Sequence, residues 1–222
     1  MRRLVLFAVT RRAAALHRPA QRRVTTMAAA VEVEEKFAVV LKPEALAARV
    51  RALGGAVQAT VEFYDEYFDT PDLALTTRDT WLRRRDEQWE LKVPAQQRRQ
   101  ASGGETTAFR EIEDVPTITA ELAALGVGFP DALQPFAAFG TRRDKYTLDG
   151  VSVDVDAASY GHAVMELEVM TDGSQSDIDR ARSLIRDASE KLGCEKLGDT
   201  GGKLEAYLRR FCPKHAEVLG FL

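Results

Sequence analysis

The sequence predicts an α+β fold: a closed eight-stranded antiparallel β-barrel, a tunnel, with helices packed outside. Three observations carry this expectation. Eight segments alternate at period two, and most are joined by links short enough for antiparallel neighbours. Most of these segments hold their charges in pairs on one face, such as Arg83 with Arg85, Asp154 with Asp156, and Glu166 with Glu168. Amphipathic helical stretches at 44–53 and 177–211 need an apolar surface to dock on. For any one strand, a charged face that simply meets water accounts for the pattern equally well, because charged residues are mostly exposed. Jointly the pattern favours the reverse. If helices coat a closed barrel, the apolar strand faces point outward and the charged faces inward. A barrel of about eight strands then leaves room for side chains or one small ligand.

The elements follow in order. The first strand, 31–41, places Glu32, Glu34 and Lys36 on one face and Val31, Val33, Phe37 and Val39 on the other, broken by Glu35. Pro43 ends it, and a helix over 44–53 carries Leu46, Val50 and Leu53 at helical spacing before Gly54-Gly55. An alternating run from Val57 to Tyr67 ends at the turn Asp69-Thr70-Pro71-Asp72. Residues 80–86 and 88–94 form a hairpin around Asp86-Glu87; Trp81, Arg83 and Arg85 share a face, and Glu90 and Lys92 share a face. The polar stretch 95–105, with Gly103-Gly104, is a surface loop. A fifth strand, 106–114, holds Glu111 and Glu113, and Pro116 opens a helix through Leu125. A helical or loop piece at 130–136 leads to a strand at 138–148 carrying Arg143 and Lys145. Asp149-Gly150 is the strongest hairpin signal in the chain and introduces the strand Val151–Asp156. After Tyr160-Gly161-His162 comes the strand Ala163–Met170, then helices over 177–192 and 203–211.

Composition bounds the function. The chain has 222 residues and a net charge of -3. Residues 1–30 contain seven arginines and no acid; without them 24 basic residues face 34 acidic ones, a net of -10. An acidic body argues against a nucleic-acid surface. No run approaches the roughly 18 apolar residues of a membrane span. Cys194 and Cys212 are too few for a disulfide framework and lack metal-ligand spacing. The arginine-rich start resembles an organellar transit segment, and a mitochondrial location is the expectation. A basic arm, plastid import and a cytoplasmic form starting at Met27 stay open. Residues 1–30 are set apart as a disordered targeting segment, and 31–222 as one domain, expected to be monomeric.

An interior of mixed sign suits a polyanion rich in oxygen. Arginine grips phosphate through two hydrogen bonds and lysine acts as a point charge. Carboxylates supply the hard oxygen ligands that Mg²⁺ takes alongside phosphate. No phosphate-binding glycine loop of P-loop type occurs, and two histidines in the body disfavour a zinc site.

The stretch Glu32-Val33-Glu34-Glu35-Lys36 fits an ExExK signature. It is followed by Tyr67-Phe68-Asp69-Thr70-Pro71, Trp81-Leu82-Arg83-Arg84-Arg85, Trp89-Glu90-Leu91-Lys92, Thr141-Arg142-Arg143, Val153-Asp154-Val155-Asp156, Glu166-Leu167-Glu168 and Lys203-Leu204. This ordered set, spread over about residues 31–212, resembles the CYTH, or triphosphate tunnel metalloenzyme, superfamily, and within it the thiamine triphosphatase-like members. The resemblance implies an eight-stranded tunnel and metal-dependent hydrolysis of a triphosphate. Thiamine triphosphate is the first substrate and inorganic tripolyphosphate the second; a non-catalytic polyphosphate-binding module is the alternative. It further implies that Lys36, Arg83, Arg85, Lys92, Arg143 and Lys203 hold the triphosphate. Glu32, Glu34, Asp154, Asp156, Glu166 and Glu168 would hold Mg²⁺, or Mn²⁺, with Glu111 nearby. Trp81 would stack on a thiamine ring, or serve only as an aromatic at the barrel mouth. Tyr67 with Lys92 would activate water or steer a proton, or Tyr67 would pack the core. The segments 95–105 and 126–136 match the superfamily poorly.

Overall fold

The structure is a computed structural model that describes residues 30–95 and 106–222. The expected targeting segment, apart from Ala30, and the loop 96–105 lie outside the described residues. The strands are β1 (Val31–Ala38), β2 (Ala56–Asp69), β3 (Trp81–Arg85), β4 (Gln88–Pro94), β5 (Thr107–Ile112), β6 (Gln134–Leu148), β7 (Val151–Ala158), β8 (Ala163–Thr171) and β9 (Glu195–Lys196). The helices are α1 (Pro43–Ala52), α2 (Val115–Ala124), α3 (Gln175–Leu192), α4 (Lys203–Phe211) and α5 (Pro213–Val218).

The sheet runs β5-β4-β3-β2-β6-β7-β8-β1, and β1 pairs back onto β5, so eight antiparallel strands close into a barrel. β9 takes over the edge of β1 where β5 leaves it, opposite Phe37 and Ala38. Closure removes the free edges of an open sheet.

Local chemistry explains the elements. Asp149 and Gly150 both have positive φ, 51° and 82°, as a two-residue hairpin loop matching the strand twist requires. Ser174 caps α3 by accepting from the Asp177 N–H, and Gly193 ends it at φ 67°. Asp114 caps α2 in the same way through Thr117.

The apolar strand faces point outward. Val31, Val33 and Phe37 of β1 join Val153 of β7 and Leu167 of β8 beneath Ile178, Ala181, Ile185 and Ala188 of α3, with Leu46 and Val50 of α1. On the opposite flank α2 places Ile118 and Leu122 over Leu82 of β3 and Leu91 of β4. Glu35, the break in the β1 pattern, also faces outward and meets Lys196 of β9 at 2.5 Å.

Several boundaries differ from expectation. β1 stops at Ala38 rather than 41, because Lys42 and Pro43 already open α1. β6 starts at Gln134, inside the piece expected to be helical or loop, because β2 continues to Asp69 and pairs with it there. β9 is too short to show a period, and α5 is barely more than one turn, so neither carries a pattern signal. Among the described residues no helix is long and apolar enough to cross a membrane.

Ile185 is fully buried where α3 docks. Ile185→Ala is expected to cost about 2–5 kcal/mol in urea unfolding, whereas Arg186→Ala on the exposed side of the same helix stays within about 0.5 kcal/mol.

Candidate active site in the barrel interior

Register places the charges. Residues directly opposite in neighbouring strands share a face. Lys36 stands opposite Glu166, Glu166 opposite Asp154, and Asp154 opposite Lys145, so one rung crosses β1, β8, β7 and β6. Glu34 stands opposite Glu168. On the other wall Tyr67 faces Arg83, Asp65 faces Arg85, Arg83 faces Glu90, and Trp81 faces Lys92. The structure brings the sequence-predicted site residues together on the inner face of one barrel.

All six basic groups are already paired, Lys36 with Glu34 among them. The Arg143 guanidinium donates to Asp154 Oδ2, both Asp156 oxygens and Glu166 Oε2, each at 2.7 Å. Arg85 donates to Asp65 Oδ1 at 2.8 Å and Oδ2 at 2.9 Å, and lies 3.8 Å over the Phe63 ring. Arg83 meets Glu90 at 2.5 Å, while its Nε–H is buried with no acceptor among the described residues. Lys92 Nζ sits between Glu32 at 2.5 Å and Glu111 at 2.7 Å. Burial lowers the Lys92 pKa, but Glu32 and Glu34 outweigh it and hold the ammonium well above its ordinary value.

Lys203, at the start of α4, contacts Asp156 and lies 3.3 Å from Glu166. Burial, followed by Arg143, Lys36, Arg83 and Arg85, nevertheless pushes its pKa well down. All these cations therefore act on one another across a single interior, and an added polyanion would relieve them.

The six carboxylates expected to hold metal divide into two groups. Asp154, Asp156 and Glu166 serve Arg143 and Lys203. Glu32, Glu34 and Glu168 each turn one oxygen to a common point, all within 4.8 Å of one another. This set fits a hard divalent cation: three carboxylate oxygens, two of them on buried residues, converge although only Lys92 and Lys36 pair with Glu32 and Glu34. Their acidities carry the strain. Burial raises Glu32 to about 7 despite Lys92, with Glu34 and Glu111 adding to the rise. Glu168 is also pushed well up, by burial and by Glu32 and Glu166. Burial would raise Glu34 as well, but Lys36 and Lys92 hold it below the usual carboxylate range.

Tyr67 is buried beside Phe136 and Phe139, and burial raises its pKa although Arg83 opposes this. It therefore stays a phenol. Trp81 is half-buried on the inner face and donates its indole N–H to Asp79 Oδ1 at 2.9 Å. Sequence reasoning gave no role to Phe63, Asp65 or Asp79. Phe63 and Asp65 carried a signal, since they alternate with Tyr67 along β2. Asp79 lies in a turn and has no periodic signal.

The acidities set opposite expectations for neighbouring carboxylates. Glu32 has a folded pKa above its unfolded one, so the stability of its protonated form is lost as the pH rises from about 4.5 through about 7. A rise from 4.5 to about 7 corresponds to about 3 kcal/mol. In metal-free buffer at pH 8, Glu32→Gln should keep or raise the melting temperature. Glu34 is depressed, so its contribution is present above the unfolded pKa and is lost only in acid; Glu34→Gln should lower the melting temperature at pH 8. Both substitutions should shrink the rise in melting temperature that Mg²⁺ produces in the wild type. Mg²⁺ affinity should itself fall as the pH drops through about 7, because the cation then competes with the Glu32 proton; calorimetry in two buffers measures the proton released.

A family model of the CYTH domain matches residues 30–201. The human thiamine-triphosphatase is 35% identical over 213 residues, covering 85% of this chain and 89% of that protein. The Macaca fascicularis thiamine-triphosphatase is 34% identical over the same shares. Among solved structures, the PH1819 protein of Pyrococcus horikoshii OT3 has a TM-score of 0.54 at 21% identity, covering 81% of this chain and 99% of that one. The Bacillus halodurans protein bh2851 has a TM-score of 0.53 at 16% identity, covering 82% of this chain and 98% of that one. At such identities the two structures speak for the fold alone, while the family model and the curated relatives span most of the barrel. With its ExExK strand lining a closed antiparallel tunnel, the chain belongs to the CYTH domain family.

Proposed function

We propose that this protein hydrolyses thiamine triphosphate to thiamine diphosphate and phosphate, using Mg²⁺ or Mn²⁺ held by Glu32, Glu34 and Glu168. The observation that carries the reading is the apposition, inside one closed barrel, of a cationic wall and a convergent carboxylate triad. The thiamine end is supported by the two thiamine-triphosphatases that match across most of the chain.

The residues divide the work by their chemistry. Arg83, Arg85 and Arg143 offer planar donors to phosphate oxygens, and the unpartnered Arg83 Nε–H is a donor in waiting. Lys36, Lys92 and Lys203 add point charges. When bound, the divalent cation would neutralise phosphate oxygens and lower the barrier to attack by water on the terminal phosphorus. Lys92 is held as an ammonium between two carboxylates, which suits it to fix charge and steer a proton rather than to accept one. Tyr67, kept protonated beside Arg83, can donate a hydrogen bond to the phosphate chain or the water. The arginine-rich segment 1–30 supports import into mitochondria.

Turnover of thiamine triphosphate and tripolyphosphate, each with Mg²⁺ and with a chelator, tests the reading. A higher kcat/KM for thiamine triphosphate that vanishes with the chelator is expected; outright preference for tripolyphosphate would remove the thiamine assignment and leave the tunnel chemistry. A cation over an indole face contributes about 0.5–2 kcal/mol, so Trp81→Ala should lower kcat/KM for thiamine triphosphate by about 2- to 30-fold. Tripolyphosphate hydrolysis should change much less. A fluorescent fusion of residues 1–30 should colocalise with a mitochondrial marker; plastid or diffuse signal would reject that address.

A further inference from the structure

We propose that Phe63 is a positioning residue: its ring is shared by the Arg85 and Arg143 guanidiniums and orients both to grip one triphosphate. This rests on the triphosphate-hydrolysis reading above and holds for either substrate.

Phe63 is not placed as a core residue. It is half-buried on β2 and joins none of the apolar clusters. Strand alternation sets it on the same inner face as its neighbours Val61 and Asp65. Asp65 stands opposite Arg85 of β3, and Val61 stands opposite Arg143 of β6. Because β2 lies between β3 and β6 in the sheet, this one residue is within reach of an arginine on either neighbouring strand. The Arg85 guanidinium carbon lies over the ring, 3.8 Å from its centroid, and that of Arg143 lies 5.5 Å from it. The two cationic centres therefore stand no further apart than those two distances together, close enough for one polyphosphate chain to reach both.

The two arginines are held alike. Arg85 gives its Nε–H and an Nη2–H to Asp65, and Arg143 gives its Nε–H and an Nη2–H to Asp156. Both aspartates are fully buried. Such a fork fixes one edge of a guanidinium and leaves it free to tilt about that edge. A flat aromatic face opposes the tilt, because a guanidinium stacks on it and its charge is drawn to the ring. It also offsets the repulsion between two like charges brought near each other. Arg143 is bound further by Asp154 and Glu166. The hydrogen bonds of Arg85 go to Asp65 alone among the described residues, so the ring matters most to Arg85. Donor planes set in this way need no ordering when the phosphate chain arrives.

The experiment compares Phe63→Leu, which keeps most of the volume but removes the aromatic face, with Phe63→Tyr, which keeps the face. Both are assayed with Mg²⁺ on thiamine triphosphate and on tripolyphosphate. Phe63→Leu should lower kcat/KM for both substrates by about 2- to 30-fold, the range of a cation on an aromatic face. The loss should appear mainly as a higher KM, whereas a partly misfolded enzyme loses kcat at an unchanged KM. Phe63→Tyr should stay within about twofold of wild type. On tripolyphosphate, the Phe63→Leu loss should shrink to about twofold or less in an Arg85→Ala background, where the guanidinium is gone, and persist in full in a Trp81→Ala background. Wild-type values for Phe63→Leu, an equal loss for Phe63→Tyr, a loss confined to kcat, or an undiminished loss in the Arg85→Ala background would each overturn the proposal. Should Phe63→Leu not fold, Phe63→Met is judged by the same criteria; if neither folds, Phe63 is structural and the proposal falls. If the wild type hydrolyses neither triphosphate, the functional reading falls first and the inference with it. If the wild type does and the variants fail these criteria, only the inference falls.

Discussion

A charge taken out of water must be neutralised where it comes to rest, and the barrel is arranged around that requirement. Arg143 shows it most fully, because its guanidinium reaches three acidic side chains drawn from two neighbouring strands. Such pairing inside the barrel is compatible with folding because the hydrophobic contribution is made elsewhere. The apolar faces of β1, β6, β7 and β8 lie under α1 and α3, and those of β3, β4 and β5 under α2. The strands are therefore inverted relative to a small filled barrel, and the helices that permit the inversion are part of the site's construction.

Neutralisation is uneven across the interior. Around Arg143 the internal charges match, and Asp154, Asp156 and Glu166 have fixed partners. Around Glu32, Glu34 and Glu168 acids outnumber bases: Lys92 pairs with Glu32 and Lys36 with Glu34, yet Glu32 and Glu168 are driven toward their protonated forms. The first region can exchange internal ion pairs for phosphate oxygens. The second gains from any hard cation. Asp65 sharpens the exchange: it orders Arg85 and lies near Arg83, so the guanidinium planes are set before a ligand arrives, and binding requires little reorganisation.

The C-terminal helices connect to both ends of this machinery. α4 begins at Lys203 inside the barrel, and Gly202 before it lies so close to Lys36 that a Cβ would stand 3.1 Å from two of its methylene carbons. A side chain there would push the Lys36 stem aside by a few tenths of an ångström, so glycine favours this close approach. The Tyr160 hydroxyl holds the Lys203 carbonyl, and His162 holds Gly201 O at 3.1 Å. At the mouth, α5 reaches the Asp69–Thr76 turn through His215. α4, which the sequence reads as outer packing, thus places one interior lysine, and α5 braces the loop leading into Trp81.

The strands, their alternating faces and the ordered motif set are legible in the chain alone, because they depend on local period and short-range turn chemistry. Val31, Val33 and Phe37 opposite Glu32, Glu34 and Lys36 are legible in one line of text, as are Asp149-Gly150 and the amphipathic face of α3. Which face turned inward was not legible in any single strand. Closure through the β1–β5 pairing decided it, since the helices then had only the outside on which to bury their apolar stripes. Tertiary structure also decided how the carboxylates divide. Spacing makes Glu166 and Glu168 equivalent, yet Glu166 lies opposite Asp154 and meets Arg143, while Glu168 lies opposite Glu34 and meets another acid. Asp65 and Asp79 became meaningful only through partners 20 residues away across a sheet and two residues away in a turn. A residue's partner across a closed sheet depends on register and curvature, which no local pattern in the chain encodes.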